Sequence, residues 1–229
     1  MRPINRIIRL GVLAAIALLQ GCAKKTDATG PAFPAGIVIV QGNGQAAQAG
    51  KELPTPVVLR VVDATGAGMV GKAITLALGD GGGAVDPASA VSDAKGEIRA
   101  KWTLGPSVPA QSLFASTPGV SAVKLNAVAI LPSEVIIAQG NNQSAKAGTA
   151  LVNSIVIRVV GSGNMPLIGV TVALQITSGG GAISPQTATT TALGEVVAKW
   201  TLGTAPGINM ATITVSTLNT VTLTANGTP

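Results

Sequence analysis

The chain repeats itself. Lys101-Trp102-Thr103-Leu104-Gly105 returns as Lys199-Trp200-Thr201-Leu202-Gly203, and Gly81-Gly82-Gly83 returns as Gly179-Gly180-Gly181. Gly71 returns as Gly169, and Gln41-Gly42-Asn43-Gly44-Gln45 as Gln139-Gly140-Asn141-Asn142-Gln143, all at one offset of 98 residues. A shared offset across four separated motifs marks a duplicated domain, and a period near 100 is too long for a solenoid unit. Whatever fold forms must therefore be completed within about 98 residues and then used again. Between Pro106 and Ser121 the match weakens, which reads as a compensating slip in a turn before it resumes at Val123 against Val221.

Within each copy the dominant period is two. From Glu97 to Leu104 the apolar residues Ile98, Ala100, Trp102 and Leu104 occupy every second position, and Val196, Ala198, Trp200 and Leu202 repeat the scheme. Such alternation predicts a strand with one buried face. Residues 57–62, 74–78 and 123–128 are further strand candidates in the first copy, as are 155–160, 170–176 and 221–225 in the second. Clusters of glycine, asparagine and proline separate them at the spacing of an all-β sandwich, and no amphipathic helical stretch follows the N-terminal region. The expected fold is all-β: two tandem immunoglobulin-like Greek-key β-sandwiches, over 36–131 and 132–229. Trp102 and Trp200 fall in the inward phase of their strands and are expected to anchor the two cores rather than stack on a sugar.

The residue inventory limits the chemistry. Histidine and tyrosine are absent and Cys22 is the only cysteine. Ser-His-Asp and Cys-His catalysis, histidine zinc sites and any disulfide within one chain are therefore excluded. The second copy holds only Glu134 and Glu195 as acids, so paired-carboxylate chemistry or calcium binding would have to use Asp80, Asp86, Asp93 and Glu97 of the first. Those aspartates also stand at favourable turn positions, which is the simpler reading. The glycine triplets precede extended residues and no lysine, unlike a phosphate-binding loop. No catalytic residue, metal or cofactor is expected.

The N-terminus has a different character. Arg2, Arg6 and Arg9 precede an apolar run from Leu10 to Leu19, about half of what a spanning helix needs, so residues 1–21 read as a secretory signal peptide. Leu19-Gln20-Gly21-Cys22 resembles the lipobox of bacterial lipoproteins, which implies cleavage before Cys22 and its lipidation. Residues 22–35 read as a flexible tether. Of the formal charge of +6, three arginines belong to the signal, leaving twelve basic against nine acidic residues and no basic stripe. With aromatics at 2 %, the chain lacks what a nucleic-acid surface requires.

The ordered set of motifs in both copies, namely Gly-x-x-Gln, the Gly-Gly-Gly turn, and Gly-Glu followed by Trp-Thr-Leu-Gly, resembles the bacterial Ig-like group 1 domain of the invasin and intimin adhesins. The resemblance spans nearly all residues after the tether and implies a stalk-forming sandwich. With the lipobox supplying the anchor and the residue inventory offering no catalytic group, the expectation is a lipid-anchored, non-catalytic protein of the cell envelope that acts as a surface stalk or a protein-interaction module of adhesion type. Glycan binding is the alternative reading. The expected partners are a membrane, through the lipid anchor, and an unidentified protein or glycan ligand. Ala23, where an aspartate would signal inner-membrane retention, implies the outer membrane. The short join at residues 129–133 predicts a semi-rigid rod of about 70 to 80 Å.

Overall fold

The computed structural model describes residues 33–215 and 218–229. The expected signal peptide, Cys22 and the tether up to Ala32 lie outside the described residues. The first sandwich contains β1 (Gly36–Gln41), β2 (Gln45–Gln48), β3 (Val57–Val62), β4 (Ala73–Leu78), β5 (Gly83–Asp86), β6 (Ser89–Val91), β7 (Glu97–Leu104), β8 (Ala110–Ser116) and β9 (Val123–Ile130). One sheet runs β1-β3-β7-β5 and the other β2-β9-β8-β4-β6. That distribution is the immunoglobulin arrangement, with the first, second and fifth main strands on one sheet and the third, sixth and seventh on the other. No α-helix is present among the described residues.

The second sandwich repeats this with β10 (Pro132–Gln139), β11 (Gln143–Lys146), β12 (Ile155–Gly161), β13 (Met165–Pro166), β14 (Thr171–Ser178), β15 (Gly181–Ser184), β16 (Thr187–Thr189), β17 (Glu195–Leu202), β18 (Gly207–Thr214) and β19 (Val221–Thr228). Its sheets run β10-β12-β17-β15 and β11-β19-β18-β14-β16, and the short β13 pairs with β12. A turn of 3-10 helix, Ser162–Asn164, precedes β13. Asp86-Pro87 and Ser184-Pro185 are cis in equivalent places.

Alternating side chains build each core. Leu59, Ile74, Trp102, Leu113 and Leu125 meet between the first pair of sheets, and Ile155, Ile157, Trp200, Ile213 and Leu223 between the second. Trp102 and Trp200 are each 1 % exposed and are among the largest fully buried side chains. Each apolar core stands without a cross-link, as a domain of this size can.

The expected slip between Pro106 and Ser121 is absent. Leu78 pairs with Leu113 as Ile176 pairs with Ala211, and Ala110 pairs with Val128 as Ile208 pairs with Asn226, so the 98-residue offset holds throughout. The match weakens because side chains change while the register does not. Leu113 and Ala115 face inward on β8 where Ala211 and Ile213 face inward on β18, all fully buried. Large-then-small has become small-then-large, and a core tolerates such an exchange when total volume is kept.

Strand direction places the two copies in series. The chain enters the first sandwich at Gly36, opposite Val62 and near the start of β7, and β2 then runs parallel to β9. Both β2 and β9 therefore finish at the end where β7 finishes, with Leu104 N–H donating to the Lys51 carbonyl at 3.0 Å. The polypeptide thus leaves at the end opposite to where it entered. Only Leu131 separates β9 from β10.

Candidate functional site

The Gln-Gly-Asn-x-Gln motif carries the chain from one sheet to the other, and its polar side chains are used in doing so. Gln45 Nε2 donates to the carbonyls of Gly42 (3.0 Å) and Thr55 (2.9 Å), while its Oε1 accepts from Thr55 N–H (2.9 Å). Gln143 repeats this with Gly140 (2.8 Å) and Asn153 (2.9 Å each way). Asn43 Oδ1 accepts from Asn126 N–H and Asn141 Oδ1 from Thr224 N–H, at 2.8 and 2.9 Å. These amides satisfy strand-edge backbone groups that would otherwise lack partners. The motif is a fastening.

The first copy's acids are scattered. The Asp80 carboxylate accepts from Ser112 Oγ (3.0 Å) and faces Lys124 Nζ (3.7 Å), whereas Asp86 ends β5. Glu97 is only 8 % exposed and is ion-paired with Arg60. Arg158 and Glu195 repeat that pair, with Nε to Oε1 at 3.1 Å. Sequence reading passed over this pair, although both partners recur at the offset and share a cross-strand register. No three of His, Cys, Asp and Glu come together as a metal-binding group among the described residues.

Asp63 and Asp93 each organise a turn. Hydrogen bonds from the Thr65 hydroxyl (2.7 Å) and then the Thr65 N–H (2.8 Å) hold the Asp63 carboxyl below its ordinary value. The N–H groups of Glu97 (2.9 Å) and Lys95 (2.8 Å) do the same for Asp93. A carboxyl lowered in the folded state contributes stability above the unfolded value of 3.8, and this is lost as pH falls through the folded value. The second copy has Gly161 and Thr191 at these positions, so acid should weaken the first sandwich more than the second. Single-tryptophan chains, Trp102→Phe or Trp200→Phe, would report each unfolding midpoint at pH 7 and pH 3. Equal acid shifts in the two would reject the prediction.

The glycine triplets lead into β5 and β15, and they pack against the ends of β7 and β17. Gly105 N–H donates to the buried Gln111 Oε1 at 3.0 Å, and Gly203 N–H to Asn209 Oδ1 at 2.9 Å. They are close-packed corners.

The second copy holds a recess of about 290 Å³ lined by Asn142, Gln143, Ile208, Thr224, Ala225 and Asn226. In the first copy the counterparts of Asn142, Ile208 and Asn226 are Gly44, Ala110 and Val128. Ile208 is 68 % exposed beside amide and hydroxyl groups. The lining residues include one hydroxyl, that of Thr224, and no ionisable side chain to activate it, so the chemistry suits non-covalent contact. Sequence reading did not single out Ile208; the available signal was an isoleucine where the repeat places alanine.

No family model matches the chain, and no curated protein matches it. Among solved structures, the D0-D1 domain of intimin aligns with 82 % of this chain and 94 % of its own, at 16 % identity and a TM-score of 0.35. The adhesin InvE of Yersinia pseudotuberculosis aligns with 84 % of this chain at 15 % identity and a TM-score of 0.44. Invasin, a bacterial integrin-binding protein, aligns with 84 % at 20 % identity and a TM-score of 0.44. The chain is similar to the Ig-like domains of invasin- and intimin-type adhesins. It spans 59 % of the InvE chain and 39 % of the invasin chain.

Proposed function

We propose that the chain is a lipid-anchored spacer of the bacterial cell envelope that presents an adhesion-type interaction surface. The observation that supports this is directional: each sandwich takes in the polypeptide at one end and releases it at the other, so successive copies extend rather than fold back. Lipidation at Cys22 supplies the anchor in this reading, since the two or three acyl chains of a lipoprotein hold a membrane stably where one would not. The sequence after Cys22 begins with Ala23, in favour of the outer membrane.

Membrane fractionation tests the anchor. Cys22→Ser, in a chain whose residues 1–21 are replaced by a secretory signal cleaved without a lipobox, should move the exported chain from a fraction released only by detergent to one released by buffer. Retention of that chain through a high-salt wash would reject lipid anchoring. Contact with a protein partner is assigned to the second sandwich's recess, because that surface departs from the repeat. A photo-crosslinking residue at Ile208 should capture a partner on intact cells, and the same residue at its counterpart Ala110 should not. Equal capture at both positions would remove the assignment.

A further inference from the structure

Two departures from the repeat lie at the junction of the copies. Counting by 98, Gln48 is answered by Lys146 and Asp63 by Gly161. Gln48, at the end of β2, reaches into the second sandwich. Its Nε2 donates to the Ile168 carbonyl at 2.7 Å, and its Oε1 accepts from the Ile168 N–H at 3.1 Å. One planar amide thereby satisfies both backbone groups of a single residue, as a neighbouring strand would. Lys146 has no acceptor on its side chain and cannot make this pair.

Gly161 belongs to the same junction. Its φ of −102° and ψ of −170° are extended and open to any residue, so its backbone does not require glycine. Space does. A Cβ there would lie 2.5 Å from Ile130 Cγ2 and 2.9 Å from the Leu131 carbonyl oxygen, both at the end of the first copy, and 3.3 Å from Leu167 Cδ2. Leu167 and Val160 are buried at this end. In the first copy the equivalent position is Asp63, whose carboxylate caps its own turn by accepting from Thr65 and Ala67.

We infer that Gln48, Gly161 and Ile168 form an interdomain lock that fixes the angle between the two sandwiches. The lock deepens the spacer reading, on which its biological use rests, but its physical test does not depend on the anchor. Domains in one chain move relative to each other by default unless the interface between them is large and hydrophobic. Here the restraint comes instead from a hydrogen-bonded pair on one side and close packing of Ile130, Leu131 and Leu167 around Gly161 on the other.

Spin labels read it directly. The exported chain carrying Cys22→Ser is labelled at Ser89→Cys and Thr187→Cys, one exposed position in each sandwich. Electron–electron distance measurements should give a narrow distribution for this parent. Gln48→Ala and Gly161→Asp should each broaden it about twofold, because the domains regain their default freedom. Gln48→Glu keeps an acceptor for Ile168 N–H but loses the donor, and should broaden it as well. Lys146→Ala should leave it unchanged. Tryptophan-monitored unfolding should be the same in Gln48→Ala and the parent, which separates a loosened junction from a damaged sandwich. A broad parent distribution, or a Gln48→Ala distribution as narrow as the parent's, would overturn the lock. Failure of the anchored-spacer reading would show instead in the fractionation of the Cys22 variant.

Discussion

Replacing Trp200 by alanine is expected to destabilise the second sandwich by about 3 to 5 kcal/mol, the range for deleting a buried aromatic side chain. Trp200 is 1 % exposed on the inner face of β17, among Ile155, Ile157, Ile183 and Leu223. In a chain with 2 % aromatics no neighbouring ring can swing in to fill the void. Set against the 5 to 15 kcal/mol of a typical domain, a loss of that size leaves a fragile or unfolded unit. Denaturant unfolding followed through Trp102 in the same chain should show the first sandwich near its original midpoint. A change below about 1 kcal/mol would mean that the tryptophan is not the keystone its burial makes it. Trp200→Phe should recover much of the loss. No described residue accepts a hydrogen bond from the buried indole Nε1, so phenylalanine forfeits volume but no polar contact to them.

Gly203→Ala is expected to be at least as damaging, for a different reason. An added Cβ would overlap the Gly179 carbonyl oxygen, far inside the 3.0 Å that real Cβ atoms keep, and the obstacle is backbone. The same corner holds the hydrogen bond from Gly203 N–H to the fully buried Asn209. Opening the corner would expose or orphan that amide, so packing and polar losses arrive together, above about 4 kcal/mol. Gly44→Ala is the control, since nothing lies within 4 Å of a Cβ there; its positive φ of 73° costs only local strain. Calorimetry of the two variants should separate them clearly. Comparable melting temperatures for Gly203→Ala and the parent would refute the steric account.

Much of the sandwich was legible because burial on one face writes itself as alternation. The strand over 57–62 appears with those bounds as β3, and Glu97–Leu104 is β7. Where the apolar signal is thin, legibility failed. Gln45-Ala46-Ala47-Gln48 carries no large apolar side chain, yet it forms β2, paired in parallel with β9 and with only Ala47 packed against the core. The region of β8 looked irregular because matching by identity does not see Leu113 and Ala115 trading size order with Ala211 and Ile213. The glutamines of the repeated motif served in the sequence only as markers of the duplication, because polarity alone does not reveal which backbone they bind. The junction stayed hidden longest, since its residues are defined by contact across 120 positions of sequence between Gln48 and Ile168. Their trace was the disagreement between copies, which a search for likeness passes over.

Two neighbours of one fold on a single polypeptide risk exchanging strands while they fold, a known failing of tandem domains. The reversed order of bulky and small side chains on β8 and β18 works against it. If β8 were inserted in place of β18, Leu113 would press where the second core has room for Ala211, and Ala115 would leave a hole where Ile213 belongs. The reciprocal insertion fails in the same two ways. Each core therefore rejects its sibling's strand, and the duplicated chain can mature as two independent bodies despite their common pattern.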